Sequence, residues 1–353
     1  MKSTFNENQF EYNPLDNFDF TNNNQSIEIE PISQIGTYVK KYLDRGWTVL
    51  KIPYKSKSPT DNAWQKMDPN WINNNASDIN SKFIDGGNNI GIRLDHPLVD
   101  IDLDCGEARL LASHYLPDTN CIFGRKSARS SHWVYNVDDN LPMKRFNGAK
   151  PVPKRSPGLK TPGVQDTIVE YRAGNTVQTV FPGSVHGATG EKIDWESGRD
   201  KDPTKVSANH LFECVRTLAA ASLILEYYPN QGHRNLYILN VIGGLLTGGY
   251  TKEKTRELLE PVIIEAEVNC VGGAFSDSSA VLKERLTLID RTMEKIEKGE
   301  NISGFPTLTK EDIVTEKFTS KLKEFLSLRY KNSGKKCGAS AEPFLINRWP
   351  VGI

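Results

Sequence analysis

The stretch Leu98–Asp104, LVDIDLD, alternates apolar and acidic residues without exception. Successive side chains of a β-strand point to opposite faces. The pattern therefore predicts a strand with three apolar side chains against a core and with Asp100, Asp102 and Asp104 on the other face. Carboxylates so close together repel one another unless a cation lies between them. The strand predicts either a solvated acidic face or a site where arginine or metal balances the charge.

Residues 32–204 alternate short apolar runs with a few helical segments. β-Branched or aromatic runs bounded by turn residues occur in TVLKIPY, NIGIRL, HWVYNV, DTIVEYR and TVQTVF, which predict strands. Helical spacing occurs in IGTYVKKYLDRGW and GEARLLASHYLP. This mixture predicts an α+β domain with a central sheet over residues 32–204.

The character of the chain changes after this segment. Residues 205–330 consist of helix-length runs with apolar positions every three or four residues, which predicts an all-helical second domain. Residues 1–31 are rich in asparagine and carry six acidic residues against one lysine, so they predict a disordered tail. Residues 331–353 read as a flexible C-terminal tail.

Composition narrows the function classes. Lysine plus arginine equals aspartate plus glutamate, 44 against 44, so contact with nucleic acid must come from local patches. The five cysteines form no C-x-x-C pair, which argues against a zinc site and a disulfide framework and fits a reducing cytosol. The sequence shows neither a secretory signal nor a membrane-length apolar run. We expect a cytoplasmic protein without a membrane partner.

Further chemistry-bearing residues follow the acidic strand. TIVEYR places Glu170 in another predicted strand, with Arg172 on the same face because it lies two residues later. FGRKSARSSHWVYNV predicts a turn-rich loop and then a strand, and VFPGSVHG predicts a Pro-Gly turn. These two segments carry Gly124, Arg125, Lys126, Ser130, His132, Ser184 and His186.

This set of side chains suits phosphoryl or nucleotidyl transfer. The carboxylates of Asp100, Asp102 and Glu170 could hold two divalent ions about 3.5–4 Å apart, acting on the attacking and leaving oxygens. Oxygen ligands favour Mg²⁺ or Mn²⁺. The basic residues beside a glycine-containing loop would neutralise a triphosphate.

Three motifs in this order resemble those of the archaeo-eukaryotic primase superfamily, in its bifunctional primase/polymerase branch from plasmids, phages and other mobile elements. The acidic pair is Asp100 and Asp102, the small-x-His motif is Ser130–His132, and the later lone acid is Glu170. GWTVLKIPYKSKSPTDNAW upstream and PGSVHGATGEKIDW downstream also match the branch. The resemblance covers residues 34–200, and GHRNLYILNVIGGLLTGGYTKE is similar to the helical domains that follow such cores.

The resemblance implies an RRM-like catalytic core followed by a small all-helical domain. It also implies that Asp100, Asp102 and Glu170 bind two Mg²⁺ or Mn²⁺ ions and that His132 contacts the nucleotide's phosphates. Its weaker assignments to the nucleotide pocket are Arg125, Lys126, Ser130, Arg172, Ser184 and His186. The implied activity is DNA-dependent primer synthesis from NTPs or dNTPs on single-stranded DNA. The chain has no Walker A motif, so a separate helicase is an allowed partner.

A basic insertion, MKRFNGAKPVPKRSPGLKTP, occupies the place where several family members carry a zinc stem. It holds six lysines and arginines and no acid, and the sequence offers no cysteine and histidine set, so we expect no zinc. A flexible basic loop could follow a template backbone. The predicted nucleic-acid contacts are Lys144, Arg145, Lys154, Arg155, His233 and Arg234.

Other interpretations stay open at this point. The chain could be a non-catalytic replication initiator module that binds single strands, although all three acids are present. A metal-dependent nuclease is disfavoured because a His-hydrophobe-His pair and a tyrosine nucleophile motif are missing. Locally, Asp104 could face solvent, support the metal ligands from behind or bind metal itself. Glu170 could form a salt bridge with Arg172, and GHRN could be a helix-capping turn.

Overall fold

The computed structural model describes residues 32–72, 76–84, 87–150, 166–229, 232–269 and 278–330. The two predicted tails, residues 1–31 and 331–353, lie outside the described residues. Lys154 and Arg155, two of the predicted nucleic-acid contacts, lie outside them as well.

The described chain is a mixed α/β segment followed by helices. It begins with α1 (Ile32–Asp44), β1 (Thr48–Ile52), a 3₁₀ turn (Trp64–Lys66), α2 (Ala76–Ile79) and a π-helical turn (Asn80–Ile84). There follow β2 (Asn89–Leu103), α3 (Gly106–Tyr115), β3 (Cys121–Arg125), β4 (Ala128–Val137), β5 (Lys144–Asn147), β6 (Thr167–Val180), β7 (Ser184–Val185), β8 (Lys192–Asp200) and β9 (Thr204–Val206). The last elements are α4 (Ala208–Glu226), α5 (Arg234–Thr247), α6 (Lys252–Ile263), a π-helical turn (Ile264–Asn269), α7 (Ser278–Glu297), α8 (Phe305–Lys310) and α9 (Glu316–Leu326). The predicted α+β class is confirmed.

The strands form one nine-stranded sheet with the order β5-β6-β2-β4-β3-β8-β7. These neighbours pair antiparallel, β1 pairs antiparallel with β2, and the short β9 runs parallel to β4. The change from strands to helices falls between β9 and α4, close to the boundary predicted at residue 204.

Two pairs of runs that the sequence predicts as separate strands are each one strand. NIGIRL and LVDIDLD form the single strand β2, and TIVEYR and TVQTVF form β6. The turn-forming residues between the runs lie where the pairing of β2 with β6 shifts register, between Arg93 and Val99. Pro97 lies inside this interruption, where its missing N–H breaks no ladder bond.

The face of β2 opposite the aspartates packs against helices. Val99, Ile101 and Leu103 are at most 1% exposed, which confirms the predicted alternation. Their hydrophobic core also contains Leu111 of α3 and Leu218 of α4, and it continues without a break through the helices after α4. One side of the sheet is thus anchored to the helical part of the chain.

The other face is only partly covered. A second core of buried apolar residues packs α1 and β1 against this face. Its aromatic centre includes Tyr42, Phe123 and Phe181, with Trp47 and Trp195 packed against it. The remaining part of this face carries the acidic residues of β2 and β6.

Among the described residues, no helix combines the length and the apolar character that crossing a membrane requires.

Two neighbouring leucines of α3 test the packing of this helix on the sheet and α4. Leu111 is fully buried, whereas Leu110 is 54% exposed. We expect Leu111→Ala to lower the free energy of unfolding by about 3 kcal/mol, because it removes buried methyl groups and leaves a cavity. Leu110→Ala should change it by about 0.5 kcal/mol or less. Urea unfolding followed by circular dichroism measures both, and equal effects would contradict the packing.

Candidate active site

A row of directly opposed residues crosses five strands on the open face of the sheet. The register pairs Arg145 with Glu170, Glu170 with Asp102, Asp102 with His132, and His132 with Phe123. Directly opposite residues share a face, with Cβ atoms about 4.5–5.5 Å apart. Strand register therefore places an acid from β6, an acid from β2 and the histidine of β4 side by side.

Three carboxylates gather at one end of this row. Asp102, Asp104 and Glu170 each offer an oxygen within 4.8 Å of the other two, and we call these residues the acid cluster. Glu170 is buried, Asp102 is half-buried and Asp104 is exposed. Within the described residues this is the one group of at least three acids, histidines or cysteines close enough to hold an ion. The sequence left open whether Asp104 faces solvent. In the structure its side chain is exposed and also belongs to the acid cluster.

Asp104 is the acid whose charge is least balanced. Among the described residues, no lysine, arginine or histidine lies within 4.0 Å of its carboxylate. Partial burial, and then the negative charges of Asp102 and Glu170, raise the pKa of Asp104 from 3.8 to about 7. The negative charge of Asp104 is therefore the part of the cluster that the described side chains leave unbalanced.

Asp100 points into the protein rather than into the cluster. Its side chain is fully buried, and its Oδ2 atom accepts a hydrogen bond of 2.7 Å from the hydroxyl of Thr179. The same oxygen lies 3.1 Å from Nδ1 of His132. Burial alone would raise the pKa of Asp100, but the charge and hydrogen bond of His132 outweigh it and hold the pKa below its usual range. Its role as a direct metal ligand stays a prediction.

His132 is held between two acids and an aromatic ring. Its Nδ1 atom lies 3.1 Å from Asp100 and 3.7 Å from Oδ1 of Asp102. Its ring stacks on that of Phe123, with centroids 4.6 Å apart. Burial alone would lower the pKa of His132, but the charges of Asp102 and Asp100 outweigh burial and raise the pKa. The two carboxylates thereby favour the protonated imidazole, in which both ring nitrogens are donors.

Two arginines neutralise the rest of the acidic charge. Arg172 donates to Oδ2 of Asp102 over 2.8 Å and lies 3.8 Å from Glu170. It also donates to the backbone oxygen of Gln178. Arg145 forms an ion pair with Glu170. The salt bridge that the sequence allowed between Glu170 and Arg172 is therefore the longer of two, and the main partner of Arg172 is Asp102.

A cavity of about 300 Å³ opens beside the acid cluster. Its charged and titratable lining residues are Lys57, Asp102, Asp104, Arg109, Arg125, His132, Arg172 and His186. Asp102 and Asp104 of the acid cluster thus share this lining with six basic or imidazole side chains. Such a cavity complements a polyphosphate whose transferred phosphate lies next to the acids.

Loop residues fix one wall of the cavity. A Cβ atom at Gly187 would overlap the backbone oxygen of Lys55, so only glycine permits this close approach of two loops. Gln178 donates from Nε2 to the backbone oxygen of Lys57 over 2.6 Å. These contacts hold Ser56 and Lys57 against the cavity.

Two of the weaker predicted residues also line the cavity. Arg125 lies in β3 rather than in the predicted loop, and it pairs with Glu191 at 3.3 Å. Nδ1 of His186 lies 2.9 Å from the hydroxyl of Thr189. Burial, and then the positive charges of Arg125 and Lys57, lower the pKa of His186, so this imidazole is neutral near pH 7.

Three predicted nucleotide contacts lie outside the cavity lining. Lys126 is exposed, and Ser184 is buried with its hydroxyl bonded to the backbone N–H and C=O of Ile90. Ser130 has a left-handed backbone (φ +52°), and its N–H donates to Glu196. This irregular start of β4 turns Ser131 into the cavity instead. The three residues stay predictions as nucleotide contacts.

The predicted nucleic-acid contacts divide between two regions. Lys144 reaches Glu324 of α9 at 3.4 Å, whereas its neighbour Arg145 turns to the acid cluster. His233 is exposed at the start of α5 and makes no capping hydrogen bond with its side chain. Arg234 donates to the backbone of Pro229 over 3.4 Å. Because α5 packs against α6, α7 and α8, His233 and Arg234 belong to the helical part of the chain.

Sequence reasoning missed several cavity residues. Arg109, in α3, lines the same cavity as Asp104, and its guanidinium donates to the backbone oxygen of Leu103 over 3.4 Å. Gln178 and Thr179 lie at the far end of β6, where only the pairing with β2 brings them to the site. Asp104 was not missed, because it continues the two-residue period of Asp100 and Asp102 and was considered at the sequence level as a solvent-facing residue or a ligand.

The comparison with known families bears on this geometry. A family model described as "Bifunctional DNA primase/polymerase, N-terminal" matches residues 39–208. The match contains the whole acid cluster and every residue that lines the cavity. These residues form a Prim-Pol domain. The Prim-Pol domain ends where α4 begins, and helices follow it. No curated protein matches the chain.

Asp104 should make the stability of the Prim-Pol domain depend on pH. Its raised pKa means that the folded state holds a proton more tightly than the unfolded chain, so stability falls as pH rises from 3.8 toward about 7. Asp104→Asn removes this cost. We expect Asp104→Asn to raise the free energy of unfolding by roughly 1 kcal/mol at pH 8 in the presence of a chelator. The increase is small because the side chain is exposed.

At pH 5 the substitution should raise the free energy of unfolding by less, because Asp104 of the wild type is then largely protonated in the folded state and less of the cost of ionising it is present. Urea unfolding of both proteins at the two pH values measures it. An equal effect at both values, or a loss of stability at pH 8, would contradict the charge balance described for Asp104.

Proposed function

We propose that this protein is a DNA-dependent primase/polymerase that synthesises primers on single-stranded DNA from NTPs or dNTPs. The Prim-Pol domain assigns it to the DNA primase/polymerase families, whose activity is nucleotidyl transfer. The observation that supports the finer proposal is an acid cluster that shares Asp102 and Asp104 with a cavity lined by basic side chains.

We further propose that the acid cluster binds Mg²⁺ or Mn²⁺. The donor set of Asp102, Asp104 and Glu170 consists of carboxylate oxygens alone, which suits these hard cations better than zinc. The unbalanced charge of Asp104 supports the same fit. When bound, the cation would supply charge neutralisation at the reacting phosphate and activation of the attacking hydroxyl. The presence of two ions, with Asp100 as a further ligand, stays a prediction.

The chain's own residues would bind and orient the nucleotide. His132 and Arg172 line the cavity and are both held by contacts with Asp102, a member of the cluster. Arg125 and Lys57 line the same cavity and would contact the β- and γ-phosphates. In the reaction the 3′-oxygen of one nucleotide forms a bond to the α-phosphorus of the next. The bond to pyrophosphate breaks, and the basic wall would stabilise that leaving group.

The biological setting is also part of the proposal. The resemblance to replication proteins of plasmids, phages and other mobile elements supports primer synthesis for such an element in the cytoplasm, with a separate helicase. The competing hypothesis is a non-catalytic module that binds single strands. It does not explain why three carboxylates are clustered beside the cavity.

A primer-synthesis assay with Asp102→Asn tests the function. Asp102 belongs to the cluster and contacts both Arg172 and His132. We expect its loss to reduce synthesis on single-stranded DNA with mixed NTP and dNTP pools by at least about 100-fold. Asp118→Asn, whose side chain is 74% exposed, is the matched control and should keep full activity.

Undiminished synthesis by Asp102→Asn would overturn the site. Single-strand binding by the wild type without any product would favour the non-catalytic module.

Neighbouring basic residues test the cavity. Arg125 lines it, whereas the adjacent Lys126 is exposed outside it. We expect Arg125→Gln to raise the KM for nucleotide about tenfold, because it removes one charge-assisted phosphate contact. Lys126→Gln should leave the KM within about twofold of wild type. Steady-state kinetics measures both, and a larger effect at Lys126 would place the triphosphate elsewhere.

A further inference from the structure

We propose that Arg145 is a displaceable counterion of the acid cluster. It neutralises Glu170 while no metal is bound, and it is released to bind a phosphate of single-stranded DNA when a divalent cation takes that carboxylate. The inference rests on the proposed function of the acid cluster and adds a coupling between metal binding and strand binding.

The two arginines at the cluster are held very differently. The side chain of Arg172 is 19% exposed and is fixed by Asp102 and by the backbone of Gln178. The side chain of Arg145 is 52% exposed, and Glu170 is the one carboxylate of the described chain within 4.0 Å of it. Arg145 also lies on β5, a four-residue strand at the end of the sheet order. Of the two cations, only Arg145 can turn outward without breaking several contacts.

Arg145 and a metal ion would compete for the same carboxylate. The Glu170 side chain is 7% exposed and offers one of the three clustered oxygens. A guanidinium and a divalent cation on one buried carboxylate repel each other strongly, since the local dielectric is low. Metal binding should therefore drive Arg145 away, and an exposed side chain on an edge strand regains water at little cost.

The position of Arg145 suggests what it would bind after release. Along the paired row it lies on one side of Glu170 and Asp102, and His132 with the nucleotide cavity lies on the other. It is not among the residues that line the cavity. The triphosphate would enter on the side of His132, which leaves the side of Arg145 to the strand being copied or extended. A free guanidinium there matches a backbone phosphate.

This arrangement makes metal and DNA binding reciprocal. If the cation releases Arg145, it strengthens DNA binding by an amount that depends on Arg145, and DNA strengthens metal binding by the same factor. An ordinary phosphate contact would contribute equally with and without metal. The metal dependence of the Arg145 contribution is therefore the distinguishing property.

Binding of a fluorescent single-stranded oligonucleotide, followed by anisotropy without nucleotides, tests the coupling. In Mn²⁺ we expect Arg145→Gln to weaken binding about fivefold and to make the salt dependence shallower by about 0.7, as for one phosphate contact on a single strand. In chelator the variant should match wild type within about twofold, because Arg145 is then held by Glu170. Lys144→Gln, one residue away and directed to α9, should have the same effect in both buffers.

The variant Glu170→Gln tests the coupling independently. It should release Arg145 in the absence of metal and so raise the affinity for the oligonucleotide in chelator. The double variant Glu170→Gln/Arg145→Gln should not show this higher affinity. A thermal melt checks that Glu170→Gln folds, and if it does not, the Arg145→Gln comparison still decides.

Several results would overturn the proposal. These are equal weakening by Arg145→Gln in both buffers, no weakening in either, or a gain by Glu170→Gln that persists in the double variant. Wild-type protein that binds no single strand in either buffer would overturn it too. Primer synthesis by the same preparation tests the proposed polymerase function separately.

Discussion

Three clustered carboxylates and the buried Asp100 beside them lie close together on neighbouring segments of the sheet, and the need to balance their charge determines how the surrounding residues are arranged. Asp100 is buried and paired with His132, Asp102 is paired with Arg172, and Glu170 is paired mainly with Arg145. Each partner lowers the cost of holding an ionised acid in a partly dry site. Asp104 is left without such a partner in the described chain, and the divalent cation that we propose for the cluster would balance its charge.

The fold maintains this crowding by anchoring the sheet on both sides. The apolar face of β2 is packed against α3 and α4, in a core shared with the later helices. The second core covers part of the acidic face and ends at Phe123, on which His132 stacks. The acids therefore cannot separate without disturbing packed strands. The arginines, whose side chains reach the acids from neighbouring strands, are the parts that can adjust.

Local pattern was enough to predict some of this structure. The two-residue period of LVDIDLD predicts the buried and acidic faces of β2 because it depends only on strand geometry. The family resemblance predicts that Asp102, Glu170 and His132 belong to one site, and the pairing of three strands brings them together. The sequence did not predict that two short apolar runs join into one strand in β2 and again in β6, because turn-forming residues between the runs indicate the end of a strand.

The finer features depend on contacts between distant segments. Asp100 is held inside the protein by a hydrogen bond from the hydroxyl of Thr179, a β6 residue 79 positions later in the sequence. Ser131 replaces Ser130 in the cavity because Ser130 adopts a left-handed backbone tied to Glu196. The most direct test of the central claim is anomalous diffraction from crystals of the protein soaked in Mn²⁺. A manganese peak bound by Asp102, Asp104 and Glu170 is the predicted result, whereas a peak elsewhere, or no peak at full soaking, would contradict it.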